Sequence, residues 1–562
     1  MNSLADLSKP AAALFALLAL GLGGCNLAPR YSRPSVDVPG RFKEAASARA
    51  APGTAGSVAT GWKLAQPSED RLGGSWWTLF GDPDLAALER RVSVSNQNIA
   101  SAAAAYRQAR ALAAEARSSW FPTIGVGPSV TRQRSSASNF GGSGASSGQG
   151  GGSGGAPGQT RTEFSLPADA SYELDLWGRI RNGVAESAYA AEAGAADLQT
   201  AILSTQAELA EDYYELRAAD EQRRILDTTL ADYQASLRLV YTLFHAGLAS
   251  DEDLAQANTQ LDTAQAEATD LGIARAQYEH AIAVLLGLPP ARFSLPVKRF
   301  DPKLPQIPVA LPSQILERRP DIAAGERRVA AANAAIGVAR AAYFPTVSLS
   351  GSYGYDSTAF AQWLDWPNRF WSLGASAAET VFEGGLRRAQ NAAARAAYDQ
   401  AVASYRQIVL AAFQSVEDDL VTLRILGREG IQQHDAAEHA RHAVELSVAR
   451  YRDGIDSYVN VITAQNTFLA SRLAELQVQL RRIAACIALV NNLGGGWDLA
   501  QMAATERTAE HPQQAAGAAP GESAEAAPNP PPLPGPPAKP EELLQQDLED
   551  MGPSPSPRPV AK

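Results

Sequence analysis

The chain has 562 residues, enough for several domains, with 19% charged and 7% aromatic residues and a formal net charge of −11. Such an acidic balance excludes an electrostatic hold on nucleic acid, whose phosphates call for a basic surface. Two cysteines, Cys25 and Cys486, exclude a disulfide framework, and six histidines leave little material for metal chemistry.

The first predicted element is a processing signal. Residues 11–24 form an apolar run ending in small residues, shorter than the roughly 20 residues a bilayer-spanning helix requires. Leu22-Gly23-Gly24-Cys25 resembles a lipobox, in which the chain is cut before a cysteine that is then acylated. Asn26 follows, and the resemblance to bacterial lipoproteins implies sorting to the outer membrane, because no Asp stands there.

Strands come next, marked by clean alternation. Ile124, Val126 and Val130 alternate with Thr123, Gly125, Ser129 and Thr131. Over 163–176, Phe164, Leu166, Ala168, Ala170, Tyr172, Leu174 and Leu176 alternate with a polar and acidic set that includes Asp169, Glu173 and Asp175. Period two puts the two sets on opposite faces. Pro128 and Pro167 each remove a ladder donor. Between these strands a Gly/Ser tract runs to about residue 159, with no phosphate-loop pattern in it, and reads as a flexible loop.

A very long helix follows. No proline occurs from Arg179 to Ala246, a stretch worth about 100 Å at ~1.5 Å per residue. Leu226, Leu230, Tyr233, Leu237, Val240 and Phe244 are spaced as a coiled-coil seam. Gly247 ends the helix, and an antiparallel partner starts near Asp251. The same plan then returns. Tyr343-Phe344-Pro345-Thr346 repeats Trp120-Phe121-Pro122-Thr123, and Val347, Leu349, Tyr353 and Tyr355 alternate with polar residues. A weaker strand spans Phe370 to Phe382. Leu386 to Asp453 is again free of proline, with Val402, Val409, Val416 and Leu423 spaced by sevens. Gly454 answers Gly247 at an offset of about 207 residues, as Gly385 answers Gly178. Each half therefore reads helix, strand, loop, strand, very long helix, glycine, helix. From about residue 498 the chain holds fourteen of its 35 prolines, a composition that cannot bury enough apolar surface to offset its ordering entropy.

Four membrane-length strands cannot close a barrel alone, since open edges would leave backbone groups unpaired in lipid. An ordered series of motifs carries a family resemblance over roughly residues 25–497. It comprises Trp76-Trp77-Thr78-Leu79-Phe80-Gly81-Asp82-Pro83, Tyr172-Glu173-Leu174-Asp175-Leu176-Trp177-Gly178-Arg179, Arg318-Arg319-Pro320-Asp321-Ile322, Ala331-Ala332-Asn333-Ala334 and Leu493-Gly494-Gly495-Gly496-Trp497. The sequence resembles the outer-membrane factor family of TolC-like channels, in its lipoprotein branch. The resemblance implies a mixed α and β membrane protein: a homotrimer whose chains each give four strands to a twelve-stranded transmembrane barrel, above a long-helix α-barrel of coiled-coil hairpins. It implies a periplasmic adaptor and an inner-membrane transporter, RND-type, as partners. On this reading 1–24 is the signal peptide and 25–80 a lipidated extension. The first repeat is 81–290, a linker covers 291–310, the second repeat is 311–497, and 498–562 is a disordered tail.

The expected function is conduction of drugs or other small solutes, with no catalysis, cofactor or metal. Metal-ion efflux, type I protein secretion and a non-conducting envelope scaffold are the alternatives. Site expectations are Cys25 for lipidation, and Gly247, Asp453, Gly454 and Asp456 at the closed periplasmic tip. Asp169, Glu173 and Asp175 are expected to face the lumen. His434, His439 and His442 with Glu438 raise a metal reading, but a closed site needs more ligands and solvated helix histidines are commoner.

Overall fold

The computed structural model describes residues 26–39, 42–44, 75–134, 160–305 and 319–495. Cys25, the Gly/Ser tract and the Pro-rich segment lie outside the described residues. A 3₁₀ turn at Trp76–Phe80 leads into α1 (Pro83–Ser95) and α2 (Gln97–Ser118). Asp82 caps α1 by accepting from the Asp84 and Leu85 N–H groups, and Asn96 caps α2 by accepting from Asn98 and Ile99.

The strands are β1 (Thr123–Val126), β2 (Ser129–Arg134), β3 (Thr160–Leu174), β4 (Thr346–Ser357) and β5 (Arg369–Ala378). The two segments before the Gly/Ser tract occupy one strand position. Thr123 faces Ser171 and Ser129 faces Ser165, a register that continues unbroken across Pro128. The proline interrupts the ladder, as its missing donor requires, without shifting it. The sheet runs β1/β2, β3, β4, β5, antiparallel throughout, and both outer edges lack partners among the described residues. Strand ends differ from the sequence reading. β3 stops at Leu174 because Leu176 N–H turns back to the Leu174 carbonyl (2.9 Å), and β5 stops at Ala378, short of Phe382.

The helices are α3 (Arg179–His245), α4 (Asp251–Leu285), α5 (Pro320–Ala341), α6 (Leu386–Arg452) and α7 (Tyr458–Asn492). Both α3 and α6 have 67 residues, and both α4 and α7 have 35. Gly247 and Gly454 adopt φ of 74° and 72°, a left-handed cap that costs a glycine no Cβ clash. The Leu248 and Ile455 N–H groups then close the last turns onto Leu243 and Arg450 carbonyls at 2.8 and 2.9 Å. No described helix is long and apolar enough to cross a membrane.

Packing of α3 against α2, α4, α5 and α7, and of α6 against α5 and α7, builds a layer of helices below the sheet. The largest core gathers Trp76, Trp77, Phe80 and Leu85 against Tyr213, Leu216, Ile282, Ile483 and Ile487. A second joins Ile322 and Val329 to Tyr405, Val409 and Val416. On α3 the buried positions of the seam are Leu226, Thr229, Tyr233, Ser236 and Val240. Leu230, Leu237 and Phe244, expected in that seam, are only half-buried. At two positions the seam is shifted by one residue to a buried hydroxyl: Ser236 Oγ accepts from buried Gln465 of α7 (2.9 Å), and Thr229 donates back to the Ile225 carbonyl (3.0 Å).

Candidate functional site

Along its middle the sheet separates its residues by chemistry. One face carries Ile124, Val126 and Val130; the even-numbered β3 residues from Phe164 to Leu174; Val347, Leu349, Tyr353 and Tyr355; and Trp371 and Leu373. Several of these are widely exposed, with Ile124 at 74%, Trp371 at 74% and Leu373 at 68%. The opposite face presents Ser165, Asp169, Ser171 and Glu173, then Ser348, Ser350 and Ser352, then Ser372 and Ser376. An exposed apolar face of that extent is stable in hydrocarbon and a liability in water.

Aromatic residues bound the apolar band at both ends. Toward the helices stand Trp120, Phe121, Tyr343, Phe344 and Phe382, all exposed, with Trp177 stacked on Phe344 at 4.8 Å. At the far end Phe164 meets Phe360 and Trp363 at 5.5 and 5.9 Å, and Arg369 lies 3.8 Å over Trp366. The ten residues of β5 span about 33 Å at ~3.3 Å each. A tilt of about 40° turns that length into a band about 25 Å tall, the height of a transmembrane barrel wall. These belts escape a search for alternation because they lie in the turns, where Trp and Tyr prefer the interface.

The three strand acids separate in the structure. Asp169 is exposed on the polar face between Gly125 and Ser352. Glu173 shares that face but is held bidentately by Arg179, at 2.8 and 2.5 Å. Asp175, expected with them, is not on the sheet. It lies beyond β3 and accepts from the N–H groups of Ile180 (3.1 Å) and Arg181 (2.8 Å) and from the Arg181 side chain. The unpaired N–H groups of the α3 start and a neighbouring cation claim its carboxylate.

At the opposite extremity, Tyr451 and Tyr458 pack at 5.2 Å beneath the second tip. Asp453 is exposed and ends α6. Asp456 accepts from Arg450 Nε and Asn460 Nδ2, both at 2.8 Å, and these bonds hold its pKa below the usual carboxylate range. The first tip differs. Ser250 and Asp253 form a capping box, and Asp251 and Glu252 add acids to the α4 first turn. Sequence reading passed over that group, although three consecutive acids after a serine are a legible cap signal. Tyr233 donates to Asn466, and Gln260 donates to Gln465 (3.2 Å) and Asn466, tying the two hairpins together above the tips.

Two of the α6 histidines have separate partners, Glu475 for His434 and Glu445 for His442. His434 contacts Glu475 at 2.8 Å and is raised in pKa by that bond, while Glu438 pairs with Arg441. Two further acids escaped the sequence reading. Asp212, among Glu208, Glu211 and Glu215, is pushed up to about 6, first by burial and then by those neighbours. Glu89 on α1 is fully buried with neither carboxylate oxygen hydrogen-bonded, and burial raises it to about 9.

A single-layer sheet with a lipid-type face, bounded by two aromatic belts and continuous with helices about 100 Å long, defines an envelope-embedded channel protein. The profile of the outer membrane efflux protein family matches residues 88–288 and 311–495, and the chain belongs to that family. It is similar to the pyoverdine export outer membrane protein OpmQ of Pseudomonas putida, with 32% identity over 75% of this chain and 88% of the relative. Outer membrane protein OprJ of Pseudomonas aeruginosa is 31% identical over 87% of this chain and 97% of its own length. Among solved structures, the outer-membrane channel OprN aligns with a TM-score of 0.74 at 29% identity, covering 84% of this chain and 100% of that one. The protein resides in the outer membrane.

Proposed function

We propose that three copies of this chain close a twelve-stranded barrel above a helical tube, and that the duct conducts small solutes out of the cell. An adaptor in the periplasm and an RND-type transporter in the inner membrane hand it those solutes. The observation that carries the reading is the pair of sheet edges, β1/β2 and β5, without partners among the described residues, on a wall whose outer face suits lipid. Open edges are untenable in hydrocarbon, and closure with neighbouring chains removes them. Relatives named for the export of pyoverdine, solvents and toluene support efflux of small organic solutes. The test is conductance of the purified protein in planar bilayers; absence of any conductance would favour an envelope scaffold.

Cys25 is the proposed acylation site after removal of residues 1–24. Asn26 Oδ1 accepts from buried Asn182 at the start of α3 (2.9 Å), and Asn333 donates to the Pro29 carbonyl (2.9 Å). These bonds tie the segment after the cysteine to the start of α3 and to the second half of α5. Cys25→Ser is expected to impair assembly while leaving partial efflux, since the barrel still holds the membrane. Mass spectrometry of the mature wild-type protein checks the reading, and an unmodified Cys25 would overturn it.

Asp453 and Asp456 are proposed to ring the periplasmic mouth near Gly247 and Gly454. Three copies concentrate negative potential there and draw cations into the constriction. Asp453→Asn/Asp456→Asn is expected to lower cation preference and abolish block by a trivalent cation added from the periplasmic side. Most of the change should appear in Asp453→Asn alone, because Arg450 already offsets Asp456. Unchanged selectivity in the double variant would put both acids outside the pore.

A further inference from the structure

The lipid-type face of the sheet is uncharged along its band but not at its outer rim. Two residues per step beyond Val130, β2 carries Arg132 and Arg134, opposite Thr162 and Thr160. Parity puts both on the apolar face. β5 begins with Arg369, opposite Tyr355 and on the same face as Trp371. All three are exposed. The side chains of Arg132 and Arg134 make no hydrogen bond or ion pair among the described residues. No Asp or Glu occupies the apolar face of any described strand; Glu163, Asp169, Glu173 and Asp356 all lie on the other. Nor does the sequence from 135 to 159, which follows Arg134, contain a single charged residue. Outward arginines thus stand at the end of the band that holds Phe164, Phe360, Trp363 and Trp366: Arg132 and Arg134 lie past Phe164 on the ladder, Arg369 lies over Trp366, and no acid shares their face of the described strands.

We propose that this rim is a binding site for the phosphate groups of outer-leaflet lipid. The inference rests on the closed-barrel reading. Closure sets the β1/β2 edge of one chain beside the β5 edge of the next, so Arg132, Arg134 and the neighbour's Arg369 flank one seam. An arginine at the interface is tolerated where one in mid-band is not, and clustered basic side chains at that depth attract anionic headgroups. A guanidinium presents a planar fork matched to two phosphate oxygens. Arg369 stacks the face of its guanidinium on Trp366 (3.8 Å), which leaves the N–H edge available to a ligand. The apolar belt below seats the acyl chains of the same lipid. Charge, geometry and the missing acids therefore select a phosphorylated lipid over a neutral one.

The test uses the purified full chain, delipidated and offered bisphosphorylated lipid A, its dephosphorylated counterpart, or a neutral phospholipid. Native mass spectrometry counts what remains bound. Wild-type protein is expected to retain bisphosphorylated lipid A at least tenfold more than the dephosphorylated form. Arg132→Gln/Arg134→Gln/Arg369→Gln is expected to erase that preference, and Arg161→Gln, on the lumen-facing parity, to keep it. Arg134→Gln alone, with the other cations in place, should reduce retention severalfold, so the proposal stays testable if the triple variant fails to fold. Millimolar inorganic phosphate should not displace the lipid; displacement would identify a free-phosphate site instead. Equal retention of both lipid A forms by the wild type would overturn the proposal. The same spectra report oligomeric state, so a chain that is not trimeric refutes the barrel reading separately.

Discussion

Replacing Gly354 with valine is expected to abolish the sheet and, with it, the proposed trimer. A Cβ at this position would sit 2.3 Å from the Leu166 carbonyl oxygen and 2.9 Å from both the Pro167 Cα and the Phe370 ring. Two of these contacts are backbone atoms, which no rotamer change can relieve. The close approach arises where Pro167 faces Gly354 across the ladder, with the Pro167 carbonyl turned to the other side, where it accepts from Gly127 (3.2 Å). The cost exceeds the ~1–3 kcal/mol of an ordinary overpacked site, and the strands must part. Gly125→Val is the control, because its Cβ would meet nothing within 4 Å. Unheated gel electrophoresis of membrane fractions reads the outcome. Wild-type amounts of oligomer from Gly354→Val would show that the strands do not approach as described.

Glu89→Met is expected to stabilise the protein, increasingly as pH rises. Glu89 lies in the core that holds Leu85, Leu88 and Val92, with no donor to meet its charge. Its folded pKa of about 9 stands above the ordinary 4.5, so folding favours the protonated form. The stability tied to that proton is complete below pH ~4.5 and is lost progressively as pH rises toward 9. At pH 7 the loss is about 3 kcal/mol, taking ~1.36 kcal/mol per pH unit. Methionine removes the charge and retains the volume. Urea midpoints read by fluorescence of Trp76 and Trp77, in the same core, should fall from pH 5 to 9 in wild type and stay level in Glu89→Met. Parallel pH profiles would mean that Glu89 is ionised and paired in the folded protein.

Local chemistry settled a large share of this protein from the sequence. The limits of α3 and α6 follow from glycines that admit a left-handed turn and from the absence of proline between them. The β-strands follow from period-two alternation that only a two-faced sheet can use. Neither signal depends on distant residues, which is why both survive in a single sequence. Glu89 escaped the sequence reading, although positions 85, 88, 89 and 92 form one helical stripe in which a glutamate is conspicuous. Other features depend on what the fold brings near. Asp175 looks like a strand-face acid, and Glu173 like an unpaired one, until α3 turns back and supplies N–H groups and Arg179. Asp456 looks free until Arg450 reaches it across the Gly454 turn. Ser236 finds its seam partner only because Gln465, more than 200 residues away, arrives between the helices. The tolerance of Pro167 in mid-sheet depends on a glycine in another strand, Gly354. In each case the deciding partner is remote along the chain or reached only across a turn, and charge, capping and close contact act over a few ångströms of space. Periodicity and turn chemistry are written residue by residue, whereas electrostatic and steric partners exist only once the chain has folded.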